Sequence, residues 1–401
     1  MTSGSPRVLR TLNERAALEL LLGDGPLTRG ELESRTGLSK AAAAEVLRRL
    51  ESAGLVRKGG RKSGSVGPAA QMWALDGSAG HVAGVDVTSF RLDVAVADLA
   101  GRPIAEHRIA TDGEIDPVTT LAGALHAAAG KAGLAAADLD QIVVGMPGIV
   151  DSGAGDRLDT VSGLPHRRRV HDLAPLRELL GNPRIRVEND VNLVALEEQA
   201  AGAARGADTF ALLWLGQGLG SGIVLNGRLW RGASGRGGEV GSILAPDGRP
   251  LGSLLGAGAV NDLAHAWGAA RVPGAPEETR AAVRMPGGAS ESWDATEAAA
   301  RALASGHPAL LDEVAARLAV AVSGLVAVLD PGLVVLGGPL LRAGGQALHQ
   351  RVADRVADVE ARTVLLPSAV GGNAVRAGAV EFALSLARER VFHAGTAGRH
   401  R

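Results

Sequence analysis

Cysteine and tyrosine are both absent from these 401 residues. Without cysteine the chain can form neither disulfides nor thiolate zinc sites. Aromatic residues make up only 2% of the sequence while apolar residues make up 46%, so the core must be built from Ala, Val and Leu. No apolar run reaches the ~18 residues of a membrane span, and the opening MTSGSPRVLR has no signal-peptide apolar region. The expectation is a soluble cytoplasmic protein with no membrane partner, no bound metal and no cofactor. The length allows two or three domains, each large enough to bury a core.

Charge is unevenly spread. Residues 1–75 carry 12 Lys and Arg against 7 Asp and Glu, and the remainder carries 30 against 36. A basic excess at one end fits a nucleic-acid-binding module joined to a neutral or acidic partner. A solvated charged face is the plainer alternative.

The first 75 residues have helix-turn-helix spacing. Residues 13–22 predict a helix capped by Asn13, with Ala16, Leu18, Leu20 and Leu21 apolar. Thr28 and Glu31 form a capping-box pattern for a second helix ending near Arg35. Gly37 suits a tight turn, Leu38 plugs the core, and Ser39 caps a third helix through about Ala53. On that helix Ala43, Val46, Leu47 and Leu50 share an inward face. Lys40, Ala41, Ala44 and Arg48 point away, as on a recognition helix in the major groove. Ala42 lies at the same helix start. RKGGRK (57–62), followed by SGSVGP and MWAL, predicts a wing whose Arg57, Lys58, Arg61 and Lys62 meet phosphate. Ser39, Lys40, Ala42 and Arg48 complete the expected contact set to double-stranded operator DNA. The stretch KAAAA has few groups for bidentate base contacts, so specificity is expected from thymine methyls, Arg48, the wing and DNA shape. A small protein-binding helical bundle is the alternative.

From His81 onward apolar strand runs alternate with Ala-rich helical stretches, which implies a layered α/β fold. The strands are expected at 81–87, 91–99, 142–144, 184–187, 211–215, 222–225, 333–336 and 364–366. Three glycine turns follow strands: Gly145-Met146-Pro147-Gly148, the run 216–222, and Gly337-Gly338. Such turns aim backbone N–H groups at ligand oxygens or phosphate, although hairpins use glycine too. Asn189-Asp190 at a strand end can fork onto vicinal hydroxyls, with Asp190 able to act as a general base. The same pair can instead cap the helix VNLVALEEQA. Glu239, inside Gly237-Gly238-Glu239-Val240-Gly241, is another candidate hydroxyl ligand.

These motifs together resemble the ROK family (repressor, open reading frame, kinase), of the actin-like ATPase, ribonuclease H-like fold. The matching elements, in order, are AGVDV, GMPGIVD, VENDVNLVALEE, LGQGLGSGIVLNG, GGEVGS, DPGLVVLGG and NAVRAGAVEFAL. The resemblance extends to the winged helix of the repressor branch. It implies that Gly148, Asn189, Asp190 and Glu239 bind sugar, and that Asp190 would be catalytic only in a kinase. It also implies a vestigial nucleotide site at Asp86, Gly216, Gly218, Gly220, Gly337 and Gly338.

Several departures stand out against the family pattern. The first phosphate loop, glycine-rich in family kinases, reads Asp86-Val87-Thr88-Ser89-Phe90. Ser242 replaces a sugar-contacting histidine. The zinc-binding cysteines are missing, so Leu251, Leu254 and Leu255 must hold that loop by packing. HRRR (166–169) replaces a neutral stretch and can meet an anionic ligand or be a solvated loop.

The expected organisation is a winged helix-turn-helix over 1–75, a two-lobed sugar-binding domain over 76–390 and a flexible tail over 391–401, with 272–292 a flexible insertion. Three functions compete. The first is a sugar- or sugar-phosphate-responsive repressor acting as a homodimer or homotetramer. The second is a regulator with a degenerate pocket, controlled by a protein partner or by nothing. The third is an ATP-dependent sugar kinase with a fused DNA module.

Overall fold

The computed structural model describes residues 6–62, 69–88, 91–111, 116–151, 157–160, 173–182, 184–269, 290–357 and 362–395. The wing tip 63–68, the HRRR stretch and nearly all of the 272–292 segment lie outside the described residues; Ser290 already begins a helix.

The N-terminal unit consists of α1 (Pro6–Gly23), β1 (Leu27–Thr28), α2 (Arg29–Thr36), α3 (Lys40–Ser52), β2 (Val56–Lys62) and β3 (Ala70–Leu75). The Thr28–Glu31 capping box is present, and Gly37 ends α2 in the left-handed region at φ 71°. Ser39 caps α3, which buries Ala43, Val46, Leu47 and Leu50. β2 and β3 pair antiparallel as the wing, and β1 adds to β3. Helix α1 begins seven residues before the Asn13 start expected from sequence. Pro6 suits a first helical turn, but Val8, Leu9 and Leu12 are exposed, so the early turns carry no inward apolar stripe.

The first lobe contains β4 (His81–Val87), β5 (Arg91–Asp98), β6 (Pro103–Ala110), α4 (Pro117–Lys131), β7 (Gln141–Met146), β8 (Ile149–Asp151), β9 (Arg157–Thr160), α5 (Ala174–Leu180), β10 (Ile185–Asn189) and α6 (Asp190–Ala201). Its main sheet has the order β10-β7-β4-β5-β6. Strands β4, β7 and β10 run parallel, whereas β5 and β6 form an antiparallel meander. The sequence reading missed β6, an exposed edge strand with three charged or polar residues, Glu106, His107 and Arg108, between apolar ones.

The second lobe contains β11 (Phe210–Leu215), β12 (Leu219–Leu225), β13 (Arg228–Leu229), α7 (Leu251–Leu255), α8 (Ala257–Ala266), α9 (Ser290–Ala304), α10 (Pro308–Leu329), β14 (Leu333–Gly337), α11 (Pro339–Val356) and β15 (Val364–Pro367). Its sheet order, β13-β12-β11-β14-β15, repeats that of the first lobe: an antiparallel meander followed by two parallel crossover strands. The repeat is structural, and the sequence carries no trace of it. Leu251, Leu254 and Leu255 form α7 and are buried, as the cysteine-free loop required.

The chain returns to the first lobe through α12 (Ala374–Gly395), which packs on β4, β7 and α6. A flexible tail from residue 391 is incorrect for its first residues. The helix continues to Gly395, and Val391 and Phe392 are each only 6% exposed. They join one apolar cluster with Ala17, Leu18 and Leu21 of α1. Burial of two large apolar side chains holds the helix end in place. Residues 396–401 lie outside the described residues. Among the described residues no helix is long and apolar enough to cross a membrane.

Candidate functional site

The expected cleft residues gather at the carboxyl ends of parallel strands, where open α/β sheets bind ligands. Asp86 lies near the end of β4, Gly148 follows β7 and Asn189 ends β10. Gly216 follows β11 and Gly337 ends β14 on the other lobe.

Asn189 takes the capping role that its sequence offered. Its Oδ1 accepts from the Asn192 N–H at 3.0 Å, which caps α6, and its Nδ2 donates to the Gly148 carbonyl at 2.9 Å. The cap fixes the start of α6, while the second bond draws the Gly148 loop onto it. Gly148 has φ 128°, a conformation that favours glycine. Asp190 follows as the first residue of α6. Burial pushes its carboxyl up to about 6, the negative Asp86 and Glu239 add to this, and the Val191 N–H opposes it. A carboxylate tuned near neutrality can accept a hydroxyl proton.

Glu239 is exposed at the start of a single 3-10 turn, Val240–Ser242. Two glycines fix its loop against the second sheet. A Cβ on Gly238 would lie 2.2 Å from the Ser221 carbonyl oxygen, and one on Gly237 would lie 2.7 Å from the Arg231 carbonyl carbon.

The glycine run 216–222 divides in two. Gly216 and Gly218 form the tight β11–β12 turn, closed by the Gly216 N–H on the Gly218 carbonyl at 2.9 Å. Gly220, expected in a phosphate loop, instead lies inside β12. There a Cβ would come within 3.2 Å of Val191, and one on Gly222 within 2.7 Å of Ala195, so these glycines let α6 lie against the strand. Gly337 and Gly338 do form a turn into α11, with Gly338 at φ 106°. Beside them a cavity of about 160 Å³ is lined in part by Arg342, Gln346, His349 and Ser368.

Asp86 is buried and spoken for. Its Oδ2 accepts from Arg91 Nη2 at 3.1 Å and from Asn373 Nδ2 at 2.9 Å. Burial pushes its carboxyl up and these two donors hold it down, with burial prevailing. Thr88 and Arg91 close the β4–β5 hairpin at the place of the kinase phosphate loop. Ser89 and Phe90 lie outside the described residues.

Sequence reasoning missed a clasp across the cleft. Glu188, 2% exposed, accepts from Arg231 Nε and Nη2 at 2.8 and 2.6 Å. Its other oxygen accepts from the Asn189 N–H and from Asn192 Nδ2. Arg231 also lies over the Phe382 ring, 5.4 Å from its centroid. The clasp thereby holds the glycine loop of Glu239 to the base of α6. The only signal in the sequence is an acid at the end of an apolar strand; nothing marks Arg231 as its partner.

On the winged helix, Lys40, Arg48, Arg57, Lys58, Arg61 and Lys62 are all exposed, and Ala42 is half-buried at the first turn of α3. They are not equally available. Lys58 pairs with Glu51 at 3.1 Å and Lys62 with Glu31 at 2.6 Å. Arg48 pairs with Glu45. Among the described residues Arg57 and Arg61 have no ion pair.

A ROK family model matches residues 82–386. The chain belongs to the ROK family. A MarR family model also matches residues 10–64, the winged helix of this ROK protein. A glucokinase of Halalkalibacterium halodurans is 29% identical over 277 residues, 66% of this chain and 82% of that one. The xylose repressor of Bacillus subtilis is 24% identical over 235 residues, 58% of this chain and 60% of the repressor. A crystal structure of a ROK family transcriptional regulator, homolog of the E. coli MLC protein, superposes with a TM-score of 0.71 at 22% identity. It covers 96% of this chain and 100% of its own. At that identity the likeness shows the fold, winged helix followed by a two-lobed actin-like domain. Both regulators and kinases thus stand among the relatives of this ROK protein.

Proposed function

We propose that this ROK protein is a sugar-responsive, DNA-binding transcriptional regulator, most simply a repressor of carbohydrate uptake or metabolism genes. The observation that carries the proposal is a winged helix with exposed Lys40, Arg57 and Arg61 sharing one apolar core with a lobe whose cleft holds Asn189 and Asp190. The named activities of the relatives, xylose repression and glucose phosphorylation, support an aldose or its phosphate as effector. Gly148, Asn189, Asp190 and Glu239 would hold its hydroxyls. The winged helix would read a double-stranded operator as a homodimer or homotetramer, since such modules usually read two half-sites. The protein would act in the cytoplasm, beside the DNA.

Loss of kinase activity belongs to the same proposal. Asp86 already accepts from Arg91 and Asn373. The loop after it has no glycine to let a backbone N–H approach phosphate. A second reading, a sugar kinase with a fused DNA module, is favoured by Asp190, whose carboxyl lies near 6 and suits a general base.

The test is a gel shift at fixed salt on the DNA upstream of the protein's own reading frame, with and without a panel of sugars and sugar phosphates. Release or tightening by one sugar supports the proposal. Indifference to all of them favours a degenerate pocket, consistent with Ser242 in place of a histidine. Sugar-dependent ATP consumption would establish the kinase reading.

A further inference from the structure

The last helix, α12, touches both halves of the cleft at one end and the winged helix at the other. It has 22 residues, about 33 Å at 1.5 Å per residue. Just before its first turn, Asn373 Nδ2 donates to Asp86 Oδ2 at 2.9 Å and to Asp93 Oδ2 at 3.2 Å. Arg376 then binds Asp93 at 2.7 Å and Glu106 at 2.8 Å. Two turns on, the Phe382 ring receives the Arg231 guanidinium at 5.4 Å and that of Arg186 at 5.7 Å. Arg231 is the residue whose clasp on Glu188 holds the glycine loop of Glu239. Near the far end, Val391 and Phe392 are buried with Ala17, Leu18 and Leu21 of α1.

Between these ends the helix has little side-chain cushion. A Cβ on Gly378 would lie 1.9 Å from the Leu193 carbonyl oxygen of α6. One on Gly84 of β4 would lie 2.5 Å from the Val380 nitrogen, and one on Gly145 of β7 would lie 2.8 Å from Val375. Backbone therefore meets backbone at Gly378 and Gly84, and the Val375 side chain lies directly on the Gly145 backbone. Close-packed contacts of this kind pass a displacement on rather than absorb it.

Granted the sugar-responsive reading above, we propose that α12 is the transmission element of this protein. Asn373 and Phe382 sense the cleft, and Val391 and Phe392 deliver the change to α1. A ligand held by Asp190 and Glu239 shifts the Glu239 loop, and with it Arg231 on the Phe382 ring. A ligand that draws on Asp86 competes with Asn373 for the same carboxylate oxygen. Either event biases the position of α12 and so the set of the winged helix, which couples the two binding equilibria. The long chain separation of the two ends does not matter, because the coupling runs through one contiguous packed element.

The test uses the full chain and Phe392→Ala, with D-glucose and D-xylose as probes and the upstream DNA fragment as target. Sugar affinity is measured by calorimetry, and DNA affinity is measured with and without saturating sugar. The wild type is expected to change DNA affinity roughly fivefold or more on sugar binding. Phe392→Ala is expected to keep sugar affinity within about twofold of wild type while its DNA affinity changes less than about twofold with sugar. A wild-type response retained by Phe392→Ala overturns the proposal.

Hydrogen exchange on the wild-type protein gives a second readout that does not depend on the variant folding. Sugar is expected to alter amide protection in both the last turns of α12 and in α1; unchanged protection in both overturns the proposal. Absence of any sugar binding by wild type brings down the sugar-responsive reading itself, and calorimetry alone distinguishes that result from failed coupling.

Discussion

Arg231 grips Glu188 through two hydrogen bonds of 2.8 and 2.6 Å across 43 residues of chain, joining the loop after β13 to the base of α6. Glu188 is almost fully buried, and Arg231 is its ion-pair partner. Arg231→Ala leaves a buried, uncompensated carboxylate. The expected loss is on the order of 3 kcal/mol, read from urea unfolding. Sugar affinity is expected to fall as well, because the Glu239 loop is anchored through Arg231. Unchanged stability and affinity would mean that water takes over the role of Arg231.

Asp190 sets a pH dependence for the cleft. Its carboxyl is raised to about 6, so it is ionised above that pH and protonated below it. Sugar hydroxyls donate to the ionised form, so sugar affinity is expected to weaken as pH falls through about 6. Calorimetry over this range on wild type and Asp190→Asn checks the point. The variant is expected to bind weakly at every pH, lose the effector response and keep DNA binding. Loss of DNA binding as well would make Asp190 a structural residue.

Glu197 sets a pH dependence for stability. Burial, then the nearby Glu381 and Glu198, raise its carboxyl from 4.5 to about 7. A carboxyl raised in the folded state holds its proton more tightly there than when unfolded. The folded state is therefore penalised progressively as pH rises from about 4.5 to about 7, with the penalty complete above that. Glu197→Gln is expected to match wild type near the acid end of this window and to exceed it by about 2 kcal/mol above the window. Denaturant midpoints at both ends decide it, and a constant difference between the two proteins would refute the assignment.

The wing cations are expected to separate by their pairing. Arg61→Ala removes a cation with no ion pair among the described residues, so DNA affinity should fall evenly across sequences and the log–log salt slope should drop by about 0.9. Lys58→Ala should cost less, because Lys58 is already committed to Glu51 at 3.1 Å. Equal effects in filter binding would mean that the Lys58–Glu51 pair opens freely on DNA. Ala42→Asn adds a base-reading carboxamide at the start of α3 and is expected to change operator preference. An unchanged preference would remove α3 from direct readout.

Much of the protein could be read locally. The Thr28–Glu31 box and the Ser39 cap are three-residue patterns, and each forms as its spacing demanded. The apolar strand runs formed strands because burial on both faces leaves a continuous signature. Strand β6 and the early turns of α1 escaped because exposed faces carry no such pattern. Asn189 and Asp190 stood out because a strand-to-helix junction concentrates polar groups in a recognisable place.

Other features depended on the tertiary structure. The Glu188–Arg231 clasp, the donation from Asn373 to Asp86 and the seat of Phe392 against α1 join residues far apart in the chain. No local spacing constrains such pairs; the order of strands in the two sheets brings them together. The same packing moved Gly220 from an expected phosphate loop into β12, where the absence of a side chain makes room for α6. The sequence by itself determined the local elements, the winged helix and the polar strand ends, because caps, turns and burial patterns act over a few residues. Only the tertiary structure decided which charges pair across the cleft and which helix connects it to the winged helix, because those depend on how the sheets bring distant segments of chain together.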